Sequence, residues 1–411
     1  MRLSNSYTRP ILLLANSLSG GGAEAIAHLM LTRLKDVHCV LFENDAQITV
    51  PNKSIVTAYR KYEGGPFQIF FITLIRVLLI QWQKIRHRPR ITISHLEGPN
   101  FANVLTLFGG STAVFVHNCP SQTYLAPGAR NRIMRFLCTV LYRRADQVIA
   151  VSQGIKRELV ADFNIDSSKV LVLPNPIDIA EIGRQSKASF DDYRDELCEA
   201  SYFVSVASLT EQKNHMAMLK IFSRWRAQSA DRSKVKLVLL GDGPLHGTLC
   251  DECTRLKLDF FDASTSFDAT KDVFFIGFQK NPYPFLKNAR ALILTSQWEG
   301  LPIALLESMA LGVPGLVSDC SDGIRDLWGL SLEEKICGNQ LTRETKKYGR
   351  LLPVPNSNGE NQEVWIDAMG QLFINPEDRE EVILNCESRA RDYDISNVQK
   401  FWEENFLNLE I

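Results

Sequence analysis

The sequence predicts an α/β protein with two doubly wound domains, each a parallel sheet covered by helices. The chain has 411 residues, more than the roughly 100–200 residues of one ordinary domain. Its composition, 45% hydrophobic and 23% charged, is typical of folded globular proteins. Short, continuously apolar runs alternate with longer helical patterns, and such runs indicate strands buried on both faces. Two doubly wound units follow from this rhythm.

Eleven apolar runs are predicted to be strands, six in the first half of the chain and five in the second. They cover residues 11–15, 38–42, 91–94, 112–116, 147–151, 170–173, 202–206, 235–240, 272–276, 290–295 and 314–318. Pro, Gly and charged residues interrupt the rhythm at 174–200, which predicts a domain boundary there. We therefore expect a first domain over 1–176, a second over 177–393, and a last helix within 394–411 that packs back on the first domain.

Charge and cysteine content exclude several classes of protein. The formal net charge of −1 gives no global electrostatic case for nucleic acid as a partner. Nine scattered cysteines, an odd number, indicate reduced thiols and a cytoplasmic location. Cys250 and Cys253 form a single close pair with no second pair, so helix packing is favoured over zinc binding.

The stretch "SQWEGLPIALLESMALGVP", residues 296–314, predicts a short helix with an anion site at its start. Pro302 suits a first helical turn, Gly312 suits the residue just past the end, and Pro314 cannot continue a helix. The predicted helix therefore covers 302–311. Its free N–H groups point toward the preceding loop, 299–301, where they would favour a phosphate.

Two glutamates flank this predicted phosphate site. Glu307 lies about 7 Å along the helix from Pro302, and Glu299 precedes the turn. A carboxylate accepts hydrogen bonds from two neighbouring hydroxyls, so the pair fits a ligand with a sugar on each side of a diphosphate. A nucleotide sugar has this layout. The alternative is that Glu307 pairs with a basic residue in the space between the domains.

This stretch resembles the signature of retaining GT-B glycosyltransferases of family four, two glutamates separated by seven residues. The resemblance implies two Rossmann-like domains facing a cleft, the first binding the acceptor and the second the nucleotide sugar. It assigns the nucleotide ribose to Glu307 and hydroxyls of the transferred sugar to Glu299. The turn formed by Gly300, Leu301 and Pro302 would hold the diphosphate, with Gly300 allowing close approach.

Two stretches of the first half are similar to the same family. Gly20, Gly21 and Gly22 lead from the first strand into a helix and resemble the family's Gly-rich loop, which binds phosphate or lets an acceptor approach. Such turns also serve as plain tight connections. His117, after a buried strand, resembles the active-site histidine that faces the donor hexose. A lone histidine in this position is otherwise more often structural.

One departure from the family pattern affects the diphosphate site. The family has Gly-Arg-Leu and then Lys, whereas this chain reads "VASLTEQKNH" over 206–215. Lys213 occupies the lysine position, but Ser208 stands where the arginine is expected. The loss removes a charge-assisted, bidentate phosphate contact. Arg325 is a candidate for the compensating cation.

The first half also carries basic, apolar stretches. The longest apolar stretch within 66–90 is interrupted by Arg76 and is shorter than the roughly 20 apolar residues of a spanning helix. Together with 129–146 it is compatible with a peripheral contact to an anionic membrane near a lipid-linked acceptor. Ordinary sheet-covering helices with solvated arginines would give the same pattern.

The resemblance implies a metal-independent enzyme that moves a hexose from a nucleotide sugar, a UDP-sugar by expectation, with retained configuration. The acceptor would be a hydroxyl of a glycan or lipid-linked glycan in surface polysaccharide or glycoconjugate synthesis, at the inner face of the membrane. His117, Glu299 and Lys213 are the expected catalytic residues, and no metal or other cofactor is expected. The alternative is a nucleotide-sugar-binding partner of another transferase. The Gly-rich turn lacks the spacing of a dinucleotide-dependent oxidoreductase.

Overall fold

The chain forms two compact units, residues 1–175 with 399–411, and residues 176–398. Each unit is a seven-stranded, all-parallel sheet with helices on its connections, which confirms the predicted α/β class. The computed structural model describes residues 9–18, 21–43, 54–57, 66–124, 128–188, 197, 200–228, 230–330, 346–356, 358–371, 376–402 and 404.

The first unit has the strand order β3-β2-β1-β4-β5-β6-β7. The order reverses between β1 and β4, and ligands of open α/β sheets bind outside the carboxyl ends of strands at such a point. Its strands are β1 (Ile11–Ala15), β2 (Val37–Leu41), β3 (Ser54–Thr57), β4 (Ile91–His95), β5 (Ser111–Val116), β6 (Gln147–Ala150) and β7 (Val170–Val172). Its helices are α1 (Gly22–Arg33), α2 (Pro66–His87), α3 (Glu97–Val104), α4 (Pro120–Thr123), α5 (Ala129–Tyr142) and α6 (Gln153–Ala161).

The second unit has the order β10-β11-β9-β8-β12-β13-β14, with its reversal between β8 and β12. Its strands are β8 (Tyr202–Val206), β9 (Lys236–Leu240), β10 (Phe260–Asp262), β11 (Val273–Gly277), β12 (Ala291–Leu294), β13 (Gly315–Ser318) and β14 (Gly349–Leu352). Its helices are α7 (Ile179–Gln185), α8 (His215–Arg226), α9 (His246–Arg255), α10 (Tyr283–Asn288), α11 (Ile303–Ala310), α12 (Asp322–Trp328), α13 (Gln362–Gln371) and α14 (Pro376–Arg391). A last helix, α15 (Ile395–Trp402), begins in this unit and ends in the first, to which residues 399–411 belong.

All eleven predicted strands are present, and the three that the sequence analysis missed lie at sheet edges. These are β3, β10 and β14, each of three or four residues. Edge strands are short and need not be apolar on both faces, so they lack the run that marks the central strands. Strand β10 lies within 259–271.

Among the described residues, none of the helices combines the length and the apolar character needed to cross a bilayer. Helix α2 has 22 residues, but Arg76 and Lys84 are buried in the first unit along its length. Its buried face packs on the protein, which agrees with the expectation that this stretch does not span a membrane.

Candidate active site

The candidate site lies at the carboxyl edge of the second sheet, where strand order reverses between β8 and β12. The loop after β8 (207–214) and the loop after β12 (295–302) are bonded together there. The Thr295 hydroxyl donates to the carbonyl oxygens of Lys213 and Asn214, each at 3.1 Å. The Gln212 amide donates to the Trp298 carbonyl at 2.8 Å. These bonds fix the two loops against each other.

Lys213 and Glu299 form the centre of this arrangement. Lys213 ends a short 3₁₀ turn, and Asn214 adopts a left-handed conformation (φ 53°) that starts α8. Lys213 Nζ lies 2.6 Å from Glu299 Oε1, and the Ser296 hydroxyl donates to the same oxygen at 2.6 Å. Glu299 is 4% exposed. The structure therefore brings two of the three predicted catalytic residues into direct contact.

Glu307 lies in the second turn of α11, with Tyr283 of α10 as its partner. The tyrosine hydroxyl donates to Glu307 Oε1 at 2.9 Å. No ion pair to this carboxyl is found among the described residues. Burial raises the pKa of Glu307 to about 7, and the Tyr283 hydrogen bond opposes the rise. Glu307 is thus a half-buried carboxyl with a neutral partner.

Helix α11 begins one residue later and ends one residue earlier than predicted. Pro302 is its N-cap in an extended conformation rather than its first residue, and Gly312 follows its end at φ 70°. The Val313 N–H donates back to the Ser308 carbonyl at 2.8 Å, which closes the last turn. Gly300 and Leu301 are buried before the cap. The first N–H groups of a helix have no partner within it, so this end can receive a phosphate.

The two residues considered for the missing arginine differ in their surroundings. Ser208 is exposed in the loop after β8. Arg325 of α12 is held by Asp319, with Nε 2.7 Å from Oδ1 and a terminal nitrogen 2.6 Å from Oδ2. A guanidinium that already forms a bidentate ion pair with a carboxylate is a weaker phosphate ligand than one without such a pair. The role of Arg325 stays a prediction.

The turn at Gly241-Asp242-Gly243 supports the Ser208 loop. The Leu209 N–H donates to the Asp242 carbonyl at 3.0 Å. A Cβ on Gly243 would lie 2.5 Å from the Leu209 carbonyl oxygen, and one on Gly241 would lie 2.0 Å from the Ala207 carbonyl oxygen. Both glycines are needed because backbone passes directly in front of them.

Replacing Gly243 by alanine is expected to lower the free energy of unfolding by about 2 kcal/mol or more, because backbone cannot yield as a flexible side chain does. Gly247, in α9, is the matched control, since a Cβ there meets nothing within 4 Å. Gly247→Ala should be neutral or slightly stabilising. Chemical denaturation of both variants checks this, and equal stability of the two would contradict the assigned role.

In the first unit, His117 follows β5 and contacts a second histidine. His95, the last residue of the adjacent β4, has its Nδ1 2.9 Å from His117 Nε2. Both side chains are buried, at 1% and 8% exposure. Burial lowers the pKa of His117 to about 3, and it lowers the pKa of His95 well below its ordinary value. Both rings are therefore neutral at physiological pH.

The Gly-rich loop leads into α1, as predicted, with Gly21 as its N-cap and Gly22 as its first residue. Gly20 lies outside the described residues. The Glu24 carboxyl accepts backbone hydrogen bonds from Gly21 and from its own N–H at this helix end. A carboxylate therefore already occupies the position that an anion would take, which favours an acceptor hydroxyl over a phosphate here.

Three features were not predicted from the sequence: Tyr283 as the partner of Glu307, His95 as the partner of His117, and one cluster of possible metal ligands. No sequence pattern singled out Tyr283. The sequence signal for His95 is that it is the last residue of β4, just as His117 directly follows β5. His246 and Cys250 of α9 and Asp262, the last residue of β10, have potential ligand atoms that all lie within 4.8 Å of one another. His246 lies four residues before Cys250, one helical turn away, while Cys253 packs in the core as expected. None of the three belongs to the loops at 207–214 or 295–302.

Two family models match this chain. The model described as Glycosyltransferase Family 4 matches residues 20–181, and the one described as Glycosyl transferases group 1 matches residues 196–330. The first match lies in the first unit and the second match lies in the second unit. Together they cover well over half of the sequence and include every candidate site residue.

Three of the curated relatives match this chain over 44–77% of its length. An uncharacterised glycosyltransferase of Methanocaldococcus jannaschii is 26% identical over 77% of this chain and 79% of its own length. An N-acetylgalactosaminyltransferase of Campylobacter jejuni, named for a diphospho-undecaprenol-linked acceptor, is 26% identical over 76% and 81%. Over 44% of this chain, and 45% of the relative, a lipopolysaccharide 1,6-galactosyltransferase of Salmonella typhimurium is 27% identical.

Solved structures show the same fold at low identity. The Anabaena protein HepE in complex with UDP and glucose superposes with a TM-score of 0.71 at 16% identity, covering 98% of this chain and 100% of its own. Sucrose-phosphate synthase from Thermosynechococcus elongatus gives 0.73 at 12% identity, covering 98% and 99%. With two parallel α/β units, a matching site signature and both family models, this chain belongs to family 4 of the glycosyltransferases, has the GT-B fold, and transfers a sugar from a nucleotide sugar.

Proposed function

We propose that this enzyme transfers a hexose from a UDP-sugar to a hydroxyl of a glycan or lipid-linked glycan, with retention of configuration, in surface polysaccharide or glycoconjugate synthesis. The observation that carries the proposal is the Lys213–Glu299 pair beside the start of α11, with Glu307 one turn further on. The similarity to HepE, solved with UDP and glucose, supports the donor. The Campylobacter relative supports a lipid-linked acceptor.

Lys213 and the N-terminal end of α11 are proposed to stabilise the leaving diphosphate. The bond from the sugar to the diphosphate breaks while a bond to the acceptor oxygen forms, so negative charge develops on the leaving group. A preorganised cation and helix N–H groups aimed at that charge lower the barrier. Phosphate oxygens would replace the Glu299 carboxylate as a partner of Lys213.

The remaining site residues are proposed to orient the donor. Glu299, released in part from Lys213, would accept hydrogen bonds from hydroxyls of the transferred sugar, and Glu307 would accept from the ribose. Gly300, Leu301 and Pro302 would bring backbone close to the diphosphate. His117 would contact the transferred hexose, while Gly21 and Gly22, with Gly20, would lie near the acceptor.

We expect Ser208 and Arg325 to be functionally linked if Arg325 supplies the missing cation. Arg325→Ala should then raise the donor KM by about tenfold, the effect of one charged hydrogen bond. Ser208→Arg, which restores the family arginine, should recover most of that loss in the double variant. Steady-state kinetics of the three variants measure this. An unchanged KM in Arg325→Ala would exclude Arg325 as a diphosphate ligand.

An exposed apolar surface on the first unit supports a peripheral membrane contact. Helix α2 buries one face, including Ile72 and Ile80, and exposes a stripe on the other. The Gln81 side chain donates to the Phe108 carbonyl and accepts from the Leu107 N–H, both in the segment after α3. These bonds place the apolar side chains of Leu107 and Phe108 beside the stripe. The exposed apolar side chains, each at least 43% exposed, are Phe71, Leu74, Ile75, Leu78, Trp82, Ile85, Leu107 and Phe108.

Charge at the end of α2 is compatible with anionic lipid. Arg86 and Arg88 are exposed, and the Arg86 guanidinium lies over the Trp82 ring at 5.2 Å from its centre. Lys84, which the basic stretch includes, is instead buried and bonded to Asn103 and Thr106. Ordinary protein surfaces expose single, scattered apolar residues, whereas this stripe is continuous and bordered by arginines. This favours a peripheral membrane contact over the alternative that α2 only covers the sheet.

Flotation on liposomes tests this contact. The wild-type chain should float with phosphatidylglycerol–phosphatidylcholine vesicles and less with phosphatidylcholine alone. The double variant Leu78→Glu with Trp82→Glu should stay at the bottom, because two charges would enter the apolar stripe. Leu384→Glu, at an equally exposed apolar position of α14, is the control and should float. Equal flotation of the three proteins would contradict a contact through α2.

A binding partner without turnover is the competing class, since Ser208 leaves the diphosphate site one cation short of the family pattern. A thermal-shift screen of nucleotide sugars identifies the donor, and release of free sugar from that donor without acceptor separates the classes. The proposed enzyme hydrolyses its donor slowly. Saturable binding with no release of sugar from any donor would favour the binding partner.

A further inference from the structure

The contact between His95 and His117 joins two neighbouring strands at the first sheet's reversal. In the parallel register of β4 and β5, His95 lies opposite Phe115, two residues before His117. The His95 ring stacks on the Phe115 ring with centres 4.5 Å apart, and its Nδ1 lies 2.9 Å from His117 Nε2. Packing thus fixes the His95 ring, and the hydrogen bond ties His117 to it.

Because both rings are neutral, each carries one hydrogen, and one of those hydrogens lies between them. Two arrangements are possible. In the first, His95 Nδ1–H donates to His117 Nε2, so His117 carries its own hydrogen on Nδ1. In the second, His117 Nε2–H donates to His95 Nδ1, so His95 carries its own on Nε2. The tautomer of one ring therefore determines that of the other.

Each arrangement leaves one outer nitrogen with a hydrogen and the other without one, so the choice depends on which ring carries the outer N–H. His95 Nε2 and His117 Nδ1 are both buried without a hydrogen-bond partner in the described part of the chain. A buried donor N–H without a partner is rarer than an acceptor without one. His95 is the more deeply buried ring, so its outer nitrogen should be the acceptor, as in the first arrangement.

We propose that His95 is a positioning residue that holds His117 in the Nδ1–H tautomer. His117 then presents a hydrogen-bond donor, rather than an acceptor, to its ligand. The matching ligand group is an oxygen that accepts, such as a sugar hydroxyl or a phosphate oxygen of the donor substrate. This step rests on the proposed function only for the identity of that ligand; the tautomer follows from the two rings alone.

Nitrogen-15 NMR of the full-length chain labelled at histidine tests the tautomer directly. The resonances of His117 are assigned as those missing in His117→Asn. We expect Nδ1 of His117 to be protonated and Nε2 to be the unprotonated acceptor. In His95→Phe, which keeps a ring on Phe115 but has no hydrogen bond to give, the hydrogen should move to Nε2. A wild-type His117 protonated on Nε2 would overturn the proposal, whether or not His95→Phe folds.

Kinetics supply the functional readout, with His95→Asn as the matched variant because its amide can replace the Nδ1–H donor. His95→Phe should lower kcat about tenfold with little change in donor KM, and His95→Asn should recover most of that loss. Equal losses in both variants would indicate a merely structural role and contradict the proposal. If no donor is turned over by the wild type, the proposed function fails, while the NMR result still stands or falls separately.

Discussion

Replacing Lys213 by alanine is expected to lower kcat by about 10²–10³-fold, the usual effect of removing one preorganised charge-stabilising group. Lys213 is the cation that the structure places beside Glu299 and the loop before α11. The variant loses the charge that would stabilise the leaving diphosphate, so the chemical step should suffer more than donor binding. Single-turnover measurement of UDP release checks the change.

The control for this variant is Lys220→Ala. Lys220 is a partly exposed lysine of α8, the helix that follows Lys213, and its Nζ lies 4.0 Å from Glu252 Oε1. Its removal should leave kcat unchanged. Because Lys213→Ala also leaves the buried Glu299 without its cation, thermal unfolding of both variants must show that the fold is kept. A folded Lys213→Ala enzyme with wild-type kcat would contradict the assigned role.

Replacing Glu307 by glutamine is expected to raise the donor KM by about 10–100-fold, since hydrogen bonds to a charged group contribute about 1.5–3 kcal/mol. An ionised carboxyl accepts from both ribose hydroxyls, whereas an amide has only one accepting atom. The effect should fall on binding and spare kcat. Titration with UDP, which lacks the transferred sugar, isolates the nucleotide contact, and an unchanged Kd in Glu307→Gln would contradict it.

The raised pKa of Glu307 gives this prediction a pH dependence. With a pKa of about 7, the carboxyl ionises as the pH rises through neutrality, so UDP should bind more tightly at pH 8 than at pH 6. Glu307→Gln should remove that difference. Tyr283→Phe, which deletes only the hydroxyl that stabilises the ionised form, should move the midpoint to higher pH.

The same shift affects the stability of the free enzyme in the opposite direction. The folded-state pKa of Glu307 lies above the ordinary glutamate value of 4.5, so between those values the folded state binds the proton more tightly than the unfolded state does. The contribution of Glu307 to the free energy of unfolding is therefore fully present below about pH 4.5 and is lost as the pH rises through about 7. Donor binding improves over a range in which the free site becomes less stable.

The predictability of the strands followed the length and continuity of their apolar runs. Central strands such as 11–15 and 235–240 are apolar on both faces and carry a continuous signal, whereas β3, β10 and β14 lie at sheet edges and do not. The end of α11 could be predicted to within one residue because Gly312 adopts a positive φ, which glycine favours. Its start was misplaced by one residue because Pro302 suits either the N-cap or the first turn.

The candidate site was predictable where it is local in sequence and unpredictable where it depends on distant contacts. Glu299, Glu307 and the turn between them form one segment with a family signature. The contact of Lys213 with Glu299 spans 86 residues, and the contact of Tyr283 with Glu307 arises from the packing of α10 on α11. His95 was missed because a strand-ending histidine has no signal until its neighbour strand is known.

The most direct test of the whole account is transfer from a UDP-sugar to an undecaprenyl-diphosphate-linked glycan, with the anomeric configuration of the product determined by NMR. A retaining, metal-independent transferase should release UDP, give a product with the configuration of the donor, and lose no rate in the presence of a chelator. An inverted product, a strict requirement for a divalent ion, or donor binding without any release of UDP would contradict it.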